Sequence, residues 1–432
     1  MLVRTFRNAV GGLPRVFWVL WVGTLINRLG SFVAPFLTLY LTETQHLSPG
    51  EAGGIVSLYG LGAFAAAPTG GFLSDRVGRK VTLLAGLGLT AVGMLALGFA
   101  TAPWLIAVCA LALGFFGELF RPAVSAIIAD VVPAEDRVRA YSLQYWAANM
   151  GFAVAPVIAG FMANRNFLVL FIANAVACLA YATLVFLRIP ETRPLSSARE
   201  PTTPSTAGPA AIRNVWSFFG RAWNELGFAE VARDAVFLSF VALSFLLAFL
   251  FLQFSSTLPL DMRAHGLEPS DFGLLIAING VLIVFLQPFA TRVLGRFRRG
   301  NVMALSGLLA GAGFGLNAFA GTAPLYALAI VVWTIGEILQ SPVASAIVAD
   351  LAPSHARGRY QGVFFMSWGL ASFAAPVTGG WIMERFGATS LWSFCFAIGT
   401  LIAVGHLAVA GARRRRLEER ALATGLSMAG RD

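Results

Sequence analysis

Twelve apolar stretches set the terms for this chain. A helix needs about 20 mainly apolar residues to cross a bilayer. Stretches of that length fall at 14–42, 51–74, 81–101, 103–130, 138–163 and 166–187, then at 233–258, 271–292, 301–320, 323–350, 360–384 and 389–411. The expectation is an all-α membrane protein of twelve transmembrane helices in two sets of six. Composition agrees, since 57% of the 432 residues are hydrophobic and 12% are charged, against about 25% charged in a soluble domain. No water-soluble fold of this length hides so much apolar surface.

Between the two sets, from Arg188 to about Arg233, Pro194, Pro201, Pro204 and Pro209 stand among Ser and Thr. That composition reads as a flexible linker. The domain reading is a six-helix bundle at 1–187, a linker at 188–232, a second bundle at 233–411 and a tail at 412–432. Within the linker, Ile212 to Phe228 mixes Trp216, Phe218, Phe219 and Trp223 with Arg213 and Arg221. It reads either as an amphipathic helix lying on the membrane surface or as plain linker. Arg4, Arg7 and Arg15 precede a first apolar stretch too long for a signal peptide, and no cleavage signature follows. Cys109, Cys178 and Cys395 lie far apart in apolar stretches and read as small buried residues, not as a disulfide framework or a metal site.

The net charge of +10 invites a nucleic-acid reading, but the placement of the charges argues for membrane topology instead. With the N-terminus inside, the outer loops hold three basic residues, Arg165, Arg263 and Arg385, and Arg28 and Arg121 lie within spans. All other basic residues fall in inner loops and tails. This asymmetry puts both termini in the cytoplasm of a multi-pass protein of the cell (inner) membrane. Arg413 to Arg416 then read as a stop and a lipid-headgroup anchor. The expected partners are the lipid bilayer, a small-molecule substrate and protons, with no nucleic acid and no cofactor. The chain is expected to act as a monomer.

The two sets of six are copies. With an offset of 220, Pro122, Ser125, Ala126, Ile127, Ala129 and Asp130 meet Pro342, Ser345, Ala346, Ile347, Ala349 and Asp350. Pro49, Gly53, Gly60 and Pro68 meet Pro269, Gly273, Gly280 and Pro288, and Arg79, Pro156 and Gly160 meet Arg299, Pro376 and Gly380. An even number of helices per copy gives both the same orientation. The copies are then related by an axis along the membrane normal, with a cavity between them at mid-depth.

After the second stretch comes G-G-F-L-S-D-R-V-G-R-K, Gly70 to Lys80. Gly70 and Gly71 allow close helix approach, Asp75 can face a helix N-terminus, and Arg79 needs a carboxylate. Gly71, Asp75, Arg76, Gly78, Arg79 and Lys80 match every defining position of G-x-L-x-D-R-x-G-R-[RK]. In this the chain resembles the major facilitator superfamily, and the resemblance covers nearly its whole length. It implies that Asp75 caps a helix of the other half and that Arg79 pairs with Asp130 in a latch favouring the outward-facing state. In the second copy position 295 is Gly, so an Arg299–Asp350 pair without the capping acid is expected. The two gates should therefore differ. The fifth stretch, Asn149 to Gly160, is similar to the antiporter motif of drug:proton exchangers, keeping Gly151, Pro156 and Gly160 but carrying Ala155 and Ala159 where the family has Gly. These residues serve equally well for tight packing and a kink. The Arg which those exchangers carry early in the fourth helix is missing from Leu105–Gly114.

Charges within spans are costly and mark function by default. Arg28, Glu118 and Glu337 fall near mid-depth and Arg121 about one turn further on. The resemblance places helices one, four, seven and ten around the cavity, so all four side chains are expected to face it. The competing reading is a salt-bridged plug that fixes helix packing. Glu118 has Arg121 beside it, whereas Glu337 has only Trp333, Gln340 and Ser341 nearby. An acid with no countercharge is the better candidate for taking up and releasing a proton. Gln253 is expected to join the cavity. Phe116, Tyr145, Trp146, Trp333, Phe364, Phe365 and Trp368 are candidates for its apolar floor.

The leading functional expectation is a secondary transporter working by alternating access that exports a drug-like or amphiphilic compound in exchange for protons. The alternative is a proton-linked importer or a facilitator of a small metabolite, with an anionic substrate held by Arg28 and Arg121. An enzyme is not expected: His46, His265, His355 and His406 pair with no metal ligands, and the sequence has no nucleophile–base cluster or nucleotide loop.

Overall fold

The structure, a computed structural model, describes residues 12–30, 33–133, 136–192, 228–294, 296–353 and 356–423. The described residues fold into helices joined by short loops. α1 comes in two pieces, Arg15–Leu29 (α1a) and Val33–Leu39 (α1b), the second followed by a π-helical turn at Tyr40–Thr44. α2 is Pro49–Arg76, α3 Arg79–Phe99, α4 Pro103–Leu119 (α4a) with Arg121–Val131 (α4b), α5 Arg137–Ala163 and α6 Phe167–Arg188. In the second half α7 is Ala235–Ser256 (α7a) with Leu258–Ala264 (α7b), α8 Pro269–Leu294, α9 Arg299–Leu316, α10 Ala323–Leu351, α11 Arg357–Phe386 and α12 Ala388–Ala423. Among the described residues ten helices are long and apolar enough to cross a membrane; α1 and α2 complete the twelve. Most of the proposed surface helix at Ile212 to Phe228 lies outside the described residues.

Local chemistry sets the helix ends. Ser48 forms a capping box with Glu51 ahead of Pro49 at the start of α2. Asn166 and Asp234 accept hydrogen bonds from Leu168 N and Phe237 N at the starts of α6 and α7a. α4 breaks at Phe120, just ahead of Pro122, whereas Pro342 at the copy position leaves α10 unbroken. The ring of Pro122 has no N–H to offer the carbonyl of Glu118, and it sits in the first turn of a new helix. Helix sides that face outward stay apolar, as with Val92, Phe99, Val176 and Phe186, which suits hydrocarbon and not water.

Two pairs of helices join the halves, α2 along α11 and α5 along α8. Their close approaches use the repeat. Gly53 meets the carbonyl of Pro376 and Gly380 that of Pro49, while Gly273 meets the carbonyl of Pro156 and Gly160 that of Pro269. A Cβ at any of these glycines would collide with backbone, so the crossing distance depends on them. All four contacts lie toward the end of the bundle away from the Gly71–Lys80 loop. We call the loop's side the motif face and the other the far face. On the far side Phe36 of α1b packs edge-on to Phe272 of α8 at 5.3 Å, and a core continuous across both halves closes the bundle.

The last helix differs from expectation. The apolar stretch ends near 411, but α12 continues to Ala423. The four arginines do not act alike: Arg416 holds Asp234 at 2.6 Å, Arg413 is buried and donates to the carbonyl of His406 at 2.7 Å, and Arg414 pairs with Glu418. Of the expected lipid anchor, Arg416 thus fastens α12 to the start of α7a, and Arg413 folds back onto its own helix.

Candidate functional site

The opening between the halves lies on the motif side of the glycine crossings. A cavity of about 320 Å³ is walled by α5, α8, α10 and α11. Glu337 and Gln340 of α10 line it, with Gln287 of α8, Tyr145 of α5 and Phe364, Phe365 and Trp368 of α11. Phe365 is 61% exposed, so the chamber is open. Glu337 is half-buried and accepts a hydrogen bond from Asn279 Nδ2 at 2.8 Å, and the same amide reaches Thr334 Oγ1 at 3.0 Å. Gln287 is tied to the carbonyl of Ile338. This chamber offers a single carboxyl among aromatic and neutral polar groups. Its walls are apolar rings and neutral polar groups, with Glu337 as the carboxyl that lines it.

The other three mid-depth charges gather elsewhere. Arg121 Nη1 meets Glu118 Oε2 at 2.7 Å across the break in α4. Arg28 packs its stem against Gly151 of α5, with Arg121, Glu118 and Tyr59 as its electrostatic surroundings. Two guanidinium groups face one carboxylate, so the group carries a net positive charge. None of the three lines the 320 Å³ cavity. The structure therefore divides the expected four-charge site into a first-half cluster and a separate second-half acid.

Two more expected cavity members lie elsewhere. Gln253 is fully buried and bridges helices, donating to the carbonyl of Ala375 at 3.2 Å and accepting from Thr257 Oγ1 at 2.8 Å. The amide thereby ties α7a to α11 next to Pro376. Trp333 stacks between Phe254 and Phe314 behind Glu337 and is buried in the core. Phe116 and Trp146 are likewise absent from the cavity wall. Asn279, the partner of Glu337, reads from the sequence only as one of several polar residues within spans that bond between helices, not as a site residue. The repeat carries a signal for it: position 279 is the copy of Tyr59, which stands near Glu118.

At the motif face Arg79 Nε meets Asp130 Oδ2 at 2.7 Å, and Thr192 Oγ1 also donates to Asp130. Gly78 has φ +129°, which only glycine adopts without strain, and it turns the chain into α3. The acid at the start of α3 is Glu191, at the end of α6. Its carboxylate accepts from the backbone N of Arg79 at 2.9 Å and of Lys80 at 3.2 Å, a favourable place for negative charge. Lys80 Nζ donates to the carbonyl of Phe186. Arg79, Asp130, Glu191 and Thr192 all belong to the first half. The side chain of Asp75 lies outside the described residues, and Arg76 is exposed at the end of α2. Gly70 packs on the carbonyl of Leu119 as expected, whereas a Cβ at Gly71 would meet open space. In the second half Arg299 pairs with Asp350, without a capping acid at position 295.

The major facilitator superfamily profile matches residues 20–267 and 254–427, nearly the whole chain in two passes. The chain belongs to that superfamily. It is thus a multi-pass membrane transporter of small molecules, with the two-repeat fold its sequence implies. It is 27% identical over 386 residues to the uncharacterized MFS-type transporter YttB of Bacillus subtilis (strain 168), covering 88% of this chain and 91% of the relative. It is 26% identical to a Na(+), Li(+), K(+)/H(+) antiporter of Planococcus maritimus over 80% and 84% of the two chains. It is 25% identical to the multidrug resistance protein MdtH of Escherichia coli O1:K1 / APEC over 85% and 86%. Among solved structures it resembles a POT family transporter in complex with 5-aminolevulinic acid, with TM-score 0.76, 17% identity and 94% and 98% coverage. A D-xylose-proton symporter superposes with TM-score 0.69 at 16% identity over 90% and 96%.

Proposed function

We propose that this superfamily member is a proton-coupled exporter of a drug-like or amphiphilic small molecule, with Glu337 as its protonation site. The observation that carries the reading is the single cavity carboxyl, which is bonded to a neutral amide and faces Tyr145, Phe365 and Trp368. A guest with an apolar body fits those rings, and proton exchange at Glu337 couples its passage to the gradient. The placement of basic residues supports both termini in the cytoplasm of the inner membrane, so the motif face is the inner one and the chamber opens inward. Gly151, Pro156 and Gly160 keep their antiporter-like reading through the α5–α8 seal and the contact with Arg28. The domain limits 1–187, 188–232 and 233–411, and action as a monomer, belong to the same proposal. So does the Arg79–Asp130 pair as a part of the latch, with Arg299–Asp350 as its lesser copy.

In inverted membrane vesicles with an acidic lumen, the protein should accumulate substrate, and Glu337→Gln should stop accumulation while substrate still raises the melting temperature. Full proton-driven transport by Glu337→Gln removes the assignment. The excess positive charge at Arg28 and Arg121 supports a second reading, a proton-linked importer or facilitator of a small anionic metabolite. Uptake into right-side-out cells, lost in Arg121→Gln, would favour it.

A further inference from the structure

The starts of α3 and α9 are copies, and among the described residues only the first is capped by an acid. At α3 the Glu191 carboxylate accepts from the backbone N of Arg79 and of Lys80, and Lys80 Nζ donates to the carbonyl of Phe186. With the offset of 220, Glu191, Arg79, Lys80 and Phe186 meet Gly411, Arg299, Gly300 and His406. The base is kept by another route. Gly300 has no side chain, but Arg413 reaches in from α12, and its Nη2 donates at 2.7 Å to the carbonyl of His406, the copy of the carbonyl that Lys80 holds. A Cβ on Gly300 would stand 3.7 Å from that same Nη2, so the guanidinium lies at the first turn of α9. The acid is not kept. Gly411 is exposed, and a Cβ on it would meet open space. Among the described residues nothing accepts from the backbone N of Arg299 or of Gly300.

Arg413 makes this more than a bare helix end. It is only 6% exposed. Among the described residues its polar contacts are with neutral groups, the His406 carbonyl and, at 3.4 Å, His406 Nδ1. Its neighbours Arg414 and Arg416 pair instead with Glu418 and Asp234. The imidazole beside Arg413 leaves its Nε2 buried without a hydrogen-bond partner. A buried guanidinium is costly without an anion, and free N–H groups at a helix start are what phosphate oxygens bind. Arg298 stands exposed at the N-cap of α9 and adds to the positive field. Leu305 of α9 and Leu407 of α12 are exposed apolar side chains a turn or two away, so the site opens where hydrocarbon gives way to headgroups.

We propose that the phosphodiester of an anionic phospholipid, in the leaflet on the motif face, binds between the start of α9 and Arg413. It takes the place that Glu191 fills in the first half. One non-bridging oxygen accepts from the backbone N of Arg299 and of Gly300, and the other accepts from the Arg413 guanidinium. A headgroup with a cation of its own, such as choline, is disfavoured by Arg413 and Arg298. The first half carries its anion in the chain, and the second takes it from the membrane.

The test is binding of phosphatidylglycerol to the full chain in neutral detergent, read by native mass spectrometry and by thermal denaturation. Phosphatidylcholine and inorganic phosphate are the other arms. Phosphatidylglycerol should bind about tenfold more tightly than phosphatidylcholine, the scale of a charge-assisted contact at a helix start, and Arg413→Gln should lower that ratio to about twofold. Gly411→Glu is the sharper variant, because it puts a carboxylate where Glu191 stands in the copy. It should raise the melting temperature without lipid and abolish the preference for phosphatidylglycerol, whereas Ala412→Glu, with the same charge one residue on, should keep most of it. No preference in the parent, or a preference retained in Gly411→Glu, overturns the site. An equal loss in Ala412→Glu makes the effect one of net charge and overturns it as well. Inorganic phosphate raising the melting temperature as much as phosphatidylglycerol does overturns the lipid as the source. The readout is binding, so failure of the exporter reading leaves this site standing, and loss of this site leaves the exporter.

Discussion

The fourth and tenth helices are copies of one sequence, and they handle intramembrane charge in opposite ways. α4 breaks ahead of Pro122, and Glu118 and Arg121 meet across the break, with Arg28 close by. α10 runs unbroken through Pro342, and its acid is held by the amide of Asn279. The shared residues from Pro122 to Asp130 and from Pro342 to Asp350 do the same work in both copies, presenting an aspartate to an arginine at the motif face. What differs is the turn before the proline. The first copy places a base there and neutralises its acid, while the second leaves the acid among uncharged groups. One half therefore carries a paired charge cluster and the other a carboxyl bonded to a neutral amide.

The largest expected effect tests that division directly. Glu337→Gln should lower proton-driven transport by on the order of 100-fold, the scale on which loss of a proton-transferring group acts, with substrate-induced thermal shifts retained. If Glu118→Gln gives the same pattern, the two copies are equivalent and the division fails. The expected result for Glu118→Gln is different. It strands two arginines without their carboxylate and should cost about 1–3 kcal/mol of stability, below the figure for a fully buried pair because Arg121 is partly exposed. Thermal denaturation in detergent reads this, and adding Arg121→Gln should recover most of the loss.

Next come the motif-face pairs. The side chains of Arg79 and Asp130 are 11% and 22% exposed, those of Arg299 and Asp350 44% and 25%. Solvent screens the second pair more, so Asp130→Asn should slow transport about fivefold and Asp350→Asn about twofold. Equal losses would mean that burial does not rank the two gates.

The smallest effect concerns Asp261, whose copy in the first half is Leu41. Asp261 lies beyond the α7a span, buried, and accepts hydrogen bonds from Tyr326 OH and Trp392 Nε1. Burial pushes its carboxyl above the usual range, against the opposing pull of Tyr326, Trp392 and His265. A raised acid binds more protons folded than unfolded, so this contribution to stability is present at low pH and fades as pH rises through the folded value. The melting temperature should therefore gain a degree or two on acidification from about pH 7 to about pH 5. Asp261→Asn should remove that part of the slope, because its carbonyl still accepts both bonds without a proton to exchange. An unchanged slope would show that Asp261 carries none of it.

Much of this was legible in the residues. The start and end of most spans agree with the apolar stretches to within two or three residues, because hydrocarbon sets both the length and the polarity of what crosses it. The exception, α12, runs past residue 411, where Arg416 finds its partner in Asp234 at the start of α7a and Arg413 bonds back to His406 of its own helix. The repeat showed which residues correspond, and the loop resemblance implied the pairing of Arg79 with Asp130. Partners without a pattern stayed hidden. Glu191 is one acid after a span, and nothing in its surroundings says that it reaches the start of α3. Gln253 and Trp333 sit at plausible cavity depth, and only the rotation of α7 and α10 turns them into the core.

By itself the sequence determined the number of spans, their twofold repeat, the family and the residues able to carry charge through a membrane. Those follow from local composition and spacing. The tertiary structure alone decided which charges meet, since Arg28, Glu118 and Arg121 converge through helix crossings at Gly151 and Pro122, while Glu337 faces a different chamber. It also decided that the copies close against each other on the far face. Contacts between residues far apart in the chain depend on helix rotation and crossing distance, and these are fixed only when the two halves pack.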